Sequence, residues 1–557
     1  MALLVVGLLI PAHIRALDEA VLKEAGRREP AIPEIARILI DKKMPGPAQM
    51  VLREGKKQNL PGLDSIQQAV ATQTRRDPFL FLFGKSEPSL NALEPNPASA
   101  HGTNAFPVPF IDWLILQEHR QKVLEALAGN RNPLVVEILR TRMIQKTVAI
   151  PPSGSASGQA FDAAVGALGL LAQAGCFRPG LSNAVFRTAT VANVSQTDGF
   201  EEVLLETLAL CERLDWGQLA IFWQQLDSMD ALRTLAVFMR QEDTLPAIWS
   251  ATMFSHDADG VAAYLKTFGN SGAKDLGKGL RYGPHAVKEL LVRSQGVASG
   301  GVASRLGEYP ALAGFRAAAA SLAYRQPGIA LGLKWLSFLA AGFFFAVIGG
   351  LLWGPGTEIE RPLRVRGIHI ARKFLFALGF LLVVLLLSEP FLAQESQKVQ
   401  MPFHLRLPIP GQPMPAVKNA VRPVVMNQLS LLTMLLFFVL QGLLYVACLV
   451  KLAEIHRQRV PARIKIRLLE NEDHLFDAGL YLGFVGTIIS LILVSLGVIK
   501  QPSLMAAYSS TSFGIIFVSV FKIFNLRPAR RRLLMETETA GGTVLTGMES
   551  RPVMTPP

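Results

Sequence analysis

The sequence predicts an all-α, polytopic membrane protein: about five transmembrane helices behind a large N-terminal, extracytoplasmic, solenoid-like helical domain. Three observations predict it. Half of the 557 residues are hydrophobic and only 18% are charged, less charge than a soluble protein of this size carries. The mean hydropathy is positive, +0.32. The apolar residues are also segregated, with residues 20–330 reading as soluble helical sequence and 335–524 containing long uncharged runs.

The first element, Ala2–Ile10, is a short apolar run that ends at Pro11 with no Lys or Arg before it. Residues 1–19 are therefore expected to be a signal peptide or an N-terminal anchor. Residues 20–87 follow as a helical subdomain, with Glu34–Glu54 forming two short helices around Pro45-Gly46-Pro47. A linker-rich region, 88–158, carries the Pro/Asn/Ser/Ala stretch Pro88–Pro109 and the run Pro151–Gly158. The main helical-repeat array, 159–334, has apolar residues at three- and four-residue spacing in Phe161–Ala174, Gly199–Leu214, Trp216–Met229, Ala231–Arg240, Gly260–Phe268 and Ala286–Gln295. Short helices joined by short turns suggest a solenoid, although no strict period is present and an irregular bundle is the alternative.

About 20 apolar residues cross a bilayer as a helix. Five runs approach that length: Trp335–Trp353, Phe374–Leu392, Leu429–Val450, Phe476–Val498 and Leu504–Phe524. The first three and their loops make up 335–475, the last two a hairpin, 476–532. Basic residues mark the cytoplasmic side. They cluster at Arg361, Arg364, Arg366, Arg372 and Lys373, at Lys451, Arg457, Arg459, Arg463, Lys465 and Arg467, and at Arg527, Arg530, Arg531 and Arg532. The Pro-rich segment 393–428 and the turn Ile499–Ser503 then face outward, as does everything before Trp335. The chain is thus expected in a membrane, its N-terminal domain outside the cytoplasm and its C-terminus cytoplasmic, with a disordered tail over 533–557.

The net charge of +13 is explained by these juxtamembrane clusters, and no aromatic-basic interleaving marks a nucleic-acid surface. No catalytic constellation is visible. His119 beside Glu118 lacks the HExxH spacing, Gly269–Lys274 does not meet the GxxxxGK[ST] pattern, and His256 and His285 stand alone. An enzyme, a metal site and a cofactor are accordingly not expected. Cys448 lies within a span, whereas Cys176 and Cys211 either pair or stay as two buried thiols. Glu389 reads as an interface carboxylate at a helix end, and Asp477 as an acid complementing a helix dipole.

The hairpin carries the strongest signal. Gly483, Gly486, Thr487 and Ser490 share one helix face, and Ala507, Ser510, Thr511 and Gly514 repeat that spacing on the next helix. At 1.5 Å rise per residue the two threonines differ in depth by roughly 6 Å, so both stripes can face one space. Plain helix packing, with hydroxyls returned to their own carbonyls, is the alternative.

The run Leu482-Gly483-Phe484-Val485-Gly486-Thr487-Ile488 resembles the LGLxGTV signature of the MotA/TolQ/ExbB proton-channel family. Ala507-Tyr508-Ser509-Ser510-Thr511-Ser512-Phe513-Gly514 resembles that family's last-span ALxxTxxG signature. The resemblance covers roughly residues 475–532, and Ala506 stands where the family often has glutamate. It implies an ion-channel subunit of an energy-transducing complex in a bacterial inner membrane, its N-terminal domain periplasmic, and a homo-oligomer (typically a pentamer) around an ExbD/TolR-like single-span partner with an intramembrane aspartate. Thr487, Thr511, Ser510 and Ser490 would line the pore or contact that carboxylate, and Gly483, Gly486 and Gly514 would pack the helices. The outer domain would bind an envelope protein. A different class, a membrane-anchored helical adaptor without ion conduction, is the alternative.

Overall fold

The computed structural model describes residues 1–86, 90, 93, 108–143, 159–195, 200–298, 306, 309–352, 363–389, 428–495 and 504–548. It is 82% helical. The chain divides into two compact units: one holds Ala16–Gly301 with Pro310–Arg325, and the other holds Met1–Arg15, Val302–Tyr309 and Gln326–Pro557.

The first unit is a stack of short helices over one continuous apolar core running from Ile32 to Val287. The expected subdomain 20–87 and the expected array 159–334 share this core. The unit itself extends to Arg325, and Gln326 onward belongs to the other unit. Pro45 begins the helix Pro45–Lys57, at a position where a missing N–H costs nothing. That helix packs against Leu245–Ser255, far along the chain. A solenoid repeat touches only its neighbours, so this contact sets the unit apart from an open array. Leu245–Ser255 is buried on every side, so it shows no amphipathic period and escaped the periodicity analysis. Gly269 (φ 57°, ψ −140°) kinks Ala258–Arg281 in a conformation that suits glycine. The Gly269–Lys274 run is therefore a bent helix and not a phosphate loop.

Two three-residue strands, β1 (Ala16–Asp18) and β2 (Gly296–Ala298), pair in parallel. Arg316 holds Asp18 at 3.2 Å, and the Val297 N–H donates to Asp275 at 2.9 Å. Strands this short leave no alternating pattern in sequence, so they were not foreseen.

Asp215 ties several helices together. It caps Trp216–Trp223 in a reciprocal capping box with Gln218, whose Nε2 donates to the Gly46 carbonyl at 2.9 Å. A Cβ on Gly46 or Gly84 would collide with the Asp215 carboxylate, so both glycines are close-approach positions. One carboxylate oxygen, Oδ2, is buried without a hydrogen-bond partner. Burial pushes this carboxyl up to about 7, against weaker stabilisation from the Gln218 and Gly217 N–H groups and from Arg53.

In the second unit, α1 (Ala2–Leu9) packs on α2 (Pro327–Leu352), which packs on α3 (Leu363–Ser388), then α4 (Gln428–Arg457). A short basic helix, α5 (Ala462–Asn471), precedes the hairpin of α6 (Ala478–Ser495) and α7 (Leu504–Phe521). After a π-helical turn, Lys522–Leu526, the chain continues as α8 (Arg527–Met548). Among the described residues, four helical stretches are long and apolar enough to cross a membrane: Pro327–Gly349, Ile370–Ser388, Leu431–Arg457 and Tyr508–Glu538. The fifth expected span, α6, is apolar over 18 residues, but its uninterrupted described stretch, Ala478–Ile489, is short of a full crossing. The outward-facing residues Phe344, Leu351, Leu387, Phe484 and Ile516 are exposed, as lipid-facing side chains are.

The tail differs from expectation. It is helical through Met548, because Arg, Leu, Met and Glu in its first half are good helix formers and Ala529 and Leu533 bury against α4 and α5 residues. Residues 94–107, 144–158, 390–427, 496–503 and 549–557 lie outside the described residues, and the expectations for the linkers and the outward-facing segments fall largely there; Leu90 and Leu93, in the first linker stretch, are described and buried in the core.

Because the folded state holds Asp215 protonated up to about pH 7, its contribution to stability is full below the ordinary carboxyl range. That contribution is lost as pH rises from about 4 to about 7. Asp215→Asn keeps an oxygen for the cap. It is expected to flatten this part of the melting-temperature profile and to raise stability above pH 7, read by near-ultraviolet circular dichroism.

Candidate functional site

Glycines let the two hairpin helices touch backbone to backbone. A Cβ on Gly483 would lie 2.8 Å from the Ser510 carbonyl oxygen, and one on Gly514 would lie 2.6 Å from that of Gly479. One on Gly486 would meet the Ser510 hydroxyl at 2.5 Å. At this separation Thr487 Oγ1 and Thr511 Oγ1 stand 2.6 Å apart, and both reach the Gly483 carbonyl, at 3.1 and 3.2 Å. Two hydroxyl protons thus serve three contacts. One carbonyl and two hydroxyls are drawn together in a stretch with no acid of its own.

The hydroxyl ridges therefore meet each other. The expectation that they face an open space differs from the packing of the single chain. Thr487 and Ser510 are buried, Thr511 is half-buried, and neighbouring Ser512 is exposed. Small residues on both ridges remove the gap that a guest helix would need, which is why the faces close. The Ser490 side chain and that of Ala507 lie outside the described residues.

Two polar atoms on this axis are buried without a partner: Ser510 Oγ beside Gly486, and Gln441 Oε1 from α4. Gln441 is 1% exposed, and its Nε2 donates to the Gly479 carbonyl at 3.0 Å. With Tyr445, Cys448, Phe476, Gly479 and Phe521 it lines a small cavity between α4, α6 and α7. Gln441 was missed in the sequence because a lone amide in an apolar run carries no spacing signal. Aromatic contacts hold α4 on α7: Phe438 lies 5.5 and 5.3 Å from Phe513 and Phe517, and Tyr445 5.9 Å from Phe521. At the other end of the hairpin Lys522 pairs with Asp477 at 2.7 Å, so Asp477 has an ion partner as well as a helix start.

A second polar cluster lies at α1, α2 and α3. Lys334 Nζ donates to Glu389 Oε1 at 2.7 Å and to the Ala12 carbonyl at 2.7 Å, and it lies 3.3 Å from His13 Nδ1. The Ile14 N–H donates to Glu389 Oε2 at 2.9 Å. The Lys334 and Glu389 side chains are almost fully buried. Glu389 is thus an internal ion partner rather than an interface carboxylate. The sequence hid this because α2 starts at Pro327, about two turns before the uncharged run at Trp335, and so carries Lys334 within it.

The remaining sequence candidates are structural. His119 Nδ1 contacts the Trp113 carbonyl at 3.0 Å and stacks on that ring. His256 meets Gln225, and His285 meets Tyr324. Cys176, Cys211 and Cys448 are buried, and none is in a disulfide. No group of three metal-binding side chains occurs among the described residues. Compared with known protein families, curated proteins and solved structures, the chain matches none.

Gly483→Ala places a methyl against fixed backbone, whereas Gly486→Ala meets a hydroxyl that can rotate away. The first is expected to cost about 1–3 kcal/mol and the second clearly less, measured by thermal unfolding in detergent. Lys334→Met leaves the buried Glu389 with only the His13 imidazole, 3.5 Å away, as an ion partner, and is expected to cost up to about 3–5 kcal/mol, whereas Lys334→Met with Glu389→Leu is expected to be far milder.

Proposed function

We propose that this chain is a MotA/TolQ/ExbB-like ion-channel subunit of an energy-transducing complex in a bacterial inner membrane. The observation that carries the reading is the meeting of Thr487 and Thr511 hydroxyls at 2.6 Å in a hairpin that bears both family-like signatures. Two hydroxyls sharing one carbonyl can exchange that partner for a stronger acceptor, and a carboxylate is such an acceptor. No Asp, Glu, Lys or Arg lies between Asp477 and Ser495 on α6, or between Leu504 and Phe521 on α7. A titrating group would come from a single-span partner with an intramembrane aspartate. Ser510, whose hydroxyl lacks a partner, is a further donor for it. Ser490 lies one turn along the same ridge.

In this reading copies of the chain form a ring, with the partner's helix entering between hairpins or by parting the hydroxyl pair. The basic segments face the cytoplasm, α6 completes a fifth span, and the helical unit before Trp335 binds an envelope protein in the periplasm. The packing of the ridges on each other favours a second reading, in which the hairpin is only a well-packed anchor and the helical unit is an adaptor.

Thr487→Val with Thr511→Val separates the two. Under the channel reading the double variant loses ion flux in proteoliposomes containing the co-purified native complex while its assembly mass is unchanged. Unchanged function, or a purified wild type that is a lone monomer without a companion, supports the adaptor.

A further inference from the structure

The helices α5 and α8 form a second surface whose chemistry differs from that of the hairpin. On α5, Arg463, Arg467 and Glu470 lie at i, i+4 and i+7 and share a face. On α8, Arg527, Arg530 and Arg531 share another. Arg530 pairs with Glu470 at 2.7 Å, which sets the two arginine ridges side by side. The opposite sides of both helices are packed: Leu469, Ala529 and Leu533 are buried with Leu452 and Ile455 of α4.

The surface carries a surplus of positive charge. Arg463, Arg467, Arg527, Arg531 and Arg532 are exposed, and none has an ion-pair partner among the described residues. Of the nearby acids, Glu470 is engaged with Arg530, Glu472 with Lys451 and Asp473 with Lys522, while Glu536 and Glu538 lie further along α8, so five arginines face two remaining carboxylates. Exposed apolar side chains are interspersed with the arginines. Ile464 is 47% exposed, Leu534 46% and Phe524, just before Arg527, 71%. Arginines alternating with exposed Ile, Leu and Phe, directly beyond apolar spans, is the composition of a helix seated at a bilayer surface. Arg also presents a planar fork that holds phosphate oxygens through two hydrogen bonds.

We propose that α5 and α8 form a binding platform for anionic phospholipid headgroups, with Arg463, Arg467, Arg527, Arg531 and Arg532 holding the phosphates and Ile464, Phe524 and Leu534 entering the acyl boundary. The chain's own membrane supplies the occupant, because the platform continues the spans α4 and α7. The proposal is independent of whether the hairpin conducts ions.

The test uses the full chain in detergent, with lipid retention read by native mass spectrometry and stability by thermal unfolding. Phosphatidylglycerol is expected to be retained and to raise the melting temperature, and phosphatidylcholine to do neither. The variant R463Q/R467Q/R531Q removes three exposed charges. At about fivefold per charge it is expected to hold phosphatidylglycerol roughly a hundredfold more weakly. The control K42Q/R75Q/R76Q removes as much exposed charge from the other unit and is expected to behave as wild type. Equal retention by the platform variant and wild type overturns the proposal, as does an equal loss in the control. Equal stabilisation by inorganic phosphate, or by a single-stranded RNA, identifies a soluble anion instead and also overturns it.

Discussion

Backbone contact between α6 and α7 is the constraint on which the membrane unit turns. Inside a bilayer a hydroxyl has no water to bond, so each must find a partner in the protein. Gly483, Gly486 and Gly514 bring the helices close enough for Thr487 and Thr511 to find each other. With larger residues at those positions the hydroxyls would return to their own turns, and the hairpin would be held by apolar packing alone. The same closeness that satisfies the hydroxyls also closes the face. The single chain therefore keeps these hydroxyls between its own two helices.

The two polar clusters of this unit obey one rule in different ways. The threonine cluster is neutral and has more acceptors than donors. The cluster of Lys334, Glu389, His13 and Ala12 is ionic and saturated by backbone groups as well as side chains. A buried lysine and carboxylate tolerate low polarity only as a pair, so they tie the segment after α1 to the facing ends of α2 and α3. Gln441 falls between these cases, with its amide nitrogen engaged and its oxygen beside a small cavity.

The other unit is governed by continuous apolar burial rather than by polar clasps. Trp216, Trp223 and Trp249 are fully buried, and the Trp249 indole N–H donates to the Gln218 carbonyl at 3.0 Å. Gln218 in turn completes the Asp215 cap, so a single helix start connects tryptophan packing to Gly46 and Gly84. This concentration of contacts at one cap is why a buried carboxyl is retained where an apolar residue would be less costly.

Much of the architecture was legible in the sequence. Long uncharged runs announced the spans, because charge inside a bilayer is costly over any context. The glycine-hydroxyl spacing announced that two faces would matter, because a helix repeats its face every three to four residues whatever it packs against. What those faces meet was settled only in three dimensions. Thr487 and Thr511 close on each other, Glu389 finds Lys334 across another helix, and Gln441 reaches a carbonyl on α6, none of which local spacing encodes. Helix Leu245–Ser255 and the pairing of β1 with β2 were invisible for the same reason: burial on all sides and contact between distant residues leave no period in the chain. Sequence determined which segments are helical and which are apolar enough for a membrane, since those follow from local propensity and hydropathy. Tertiary structure alone decided which polar group satisfies which, since a hydrogen bond between distant residues depends on how closely the packed backbones approach.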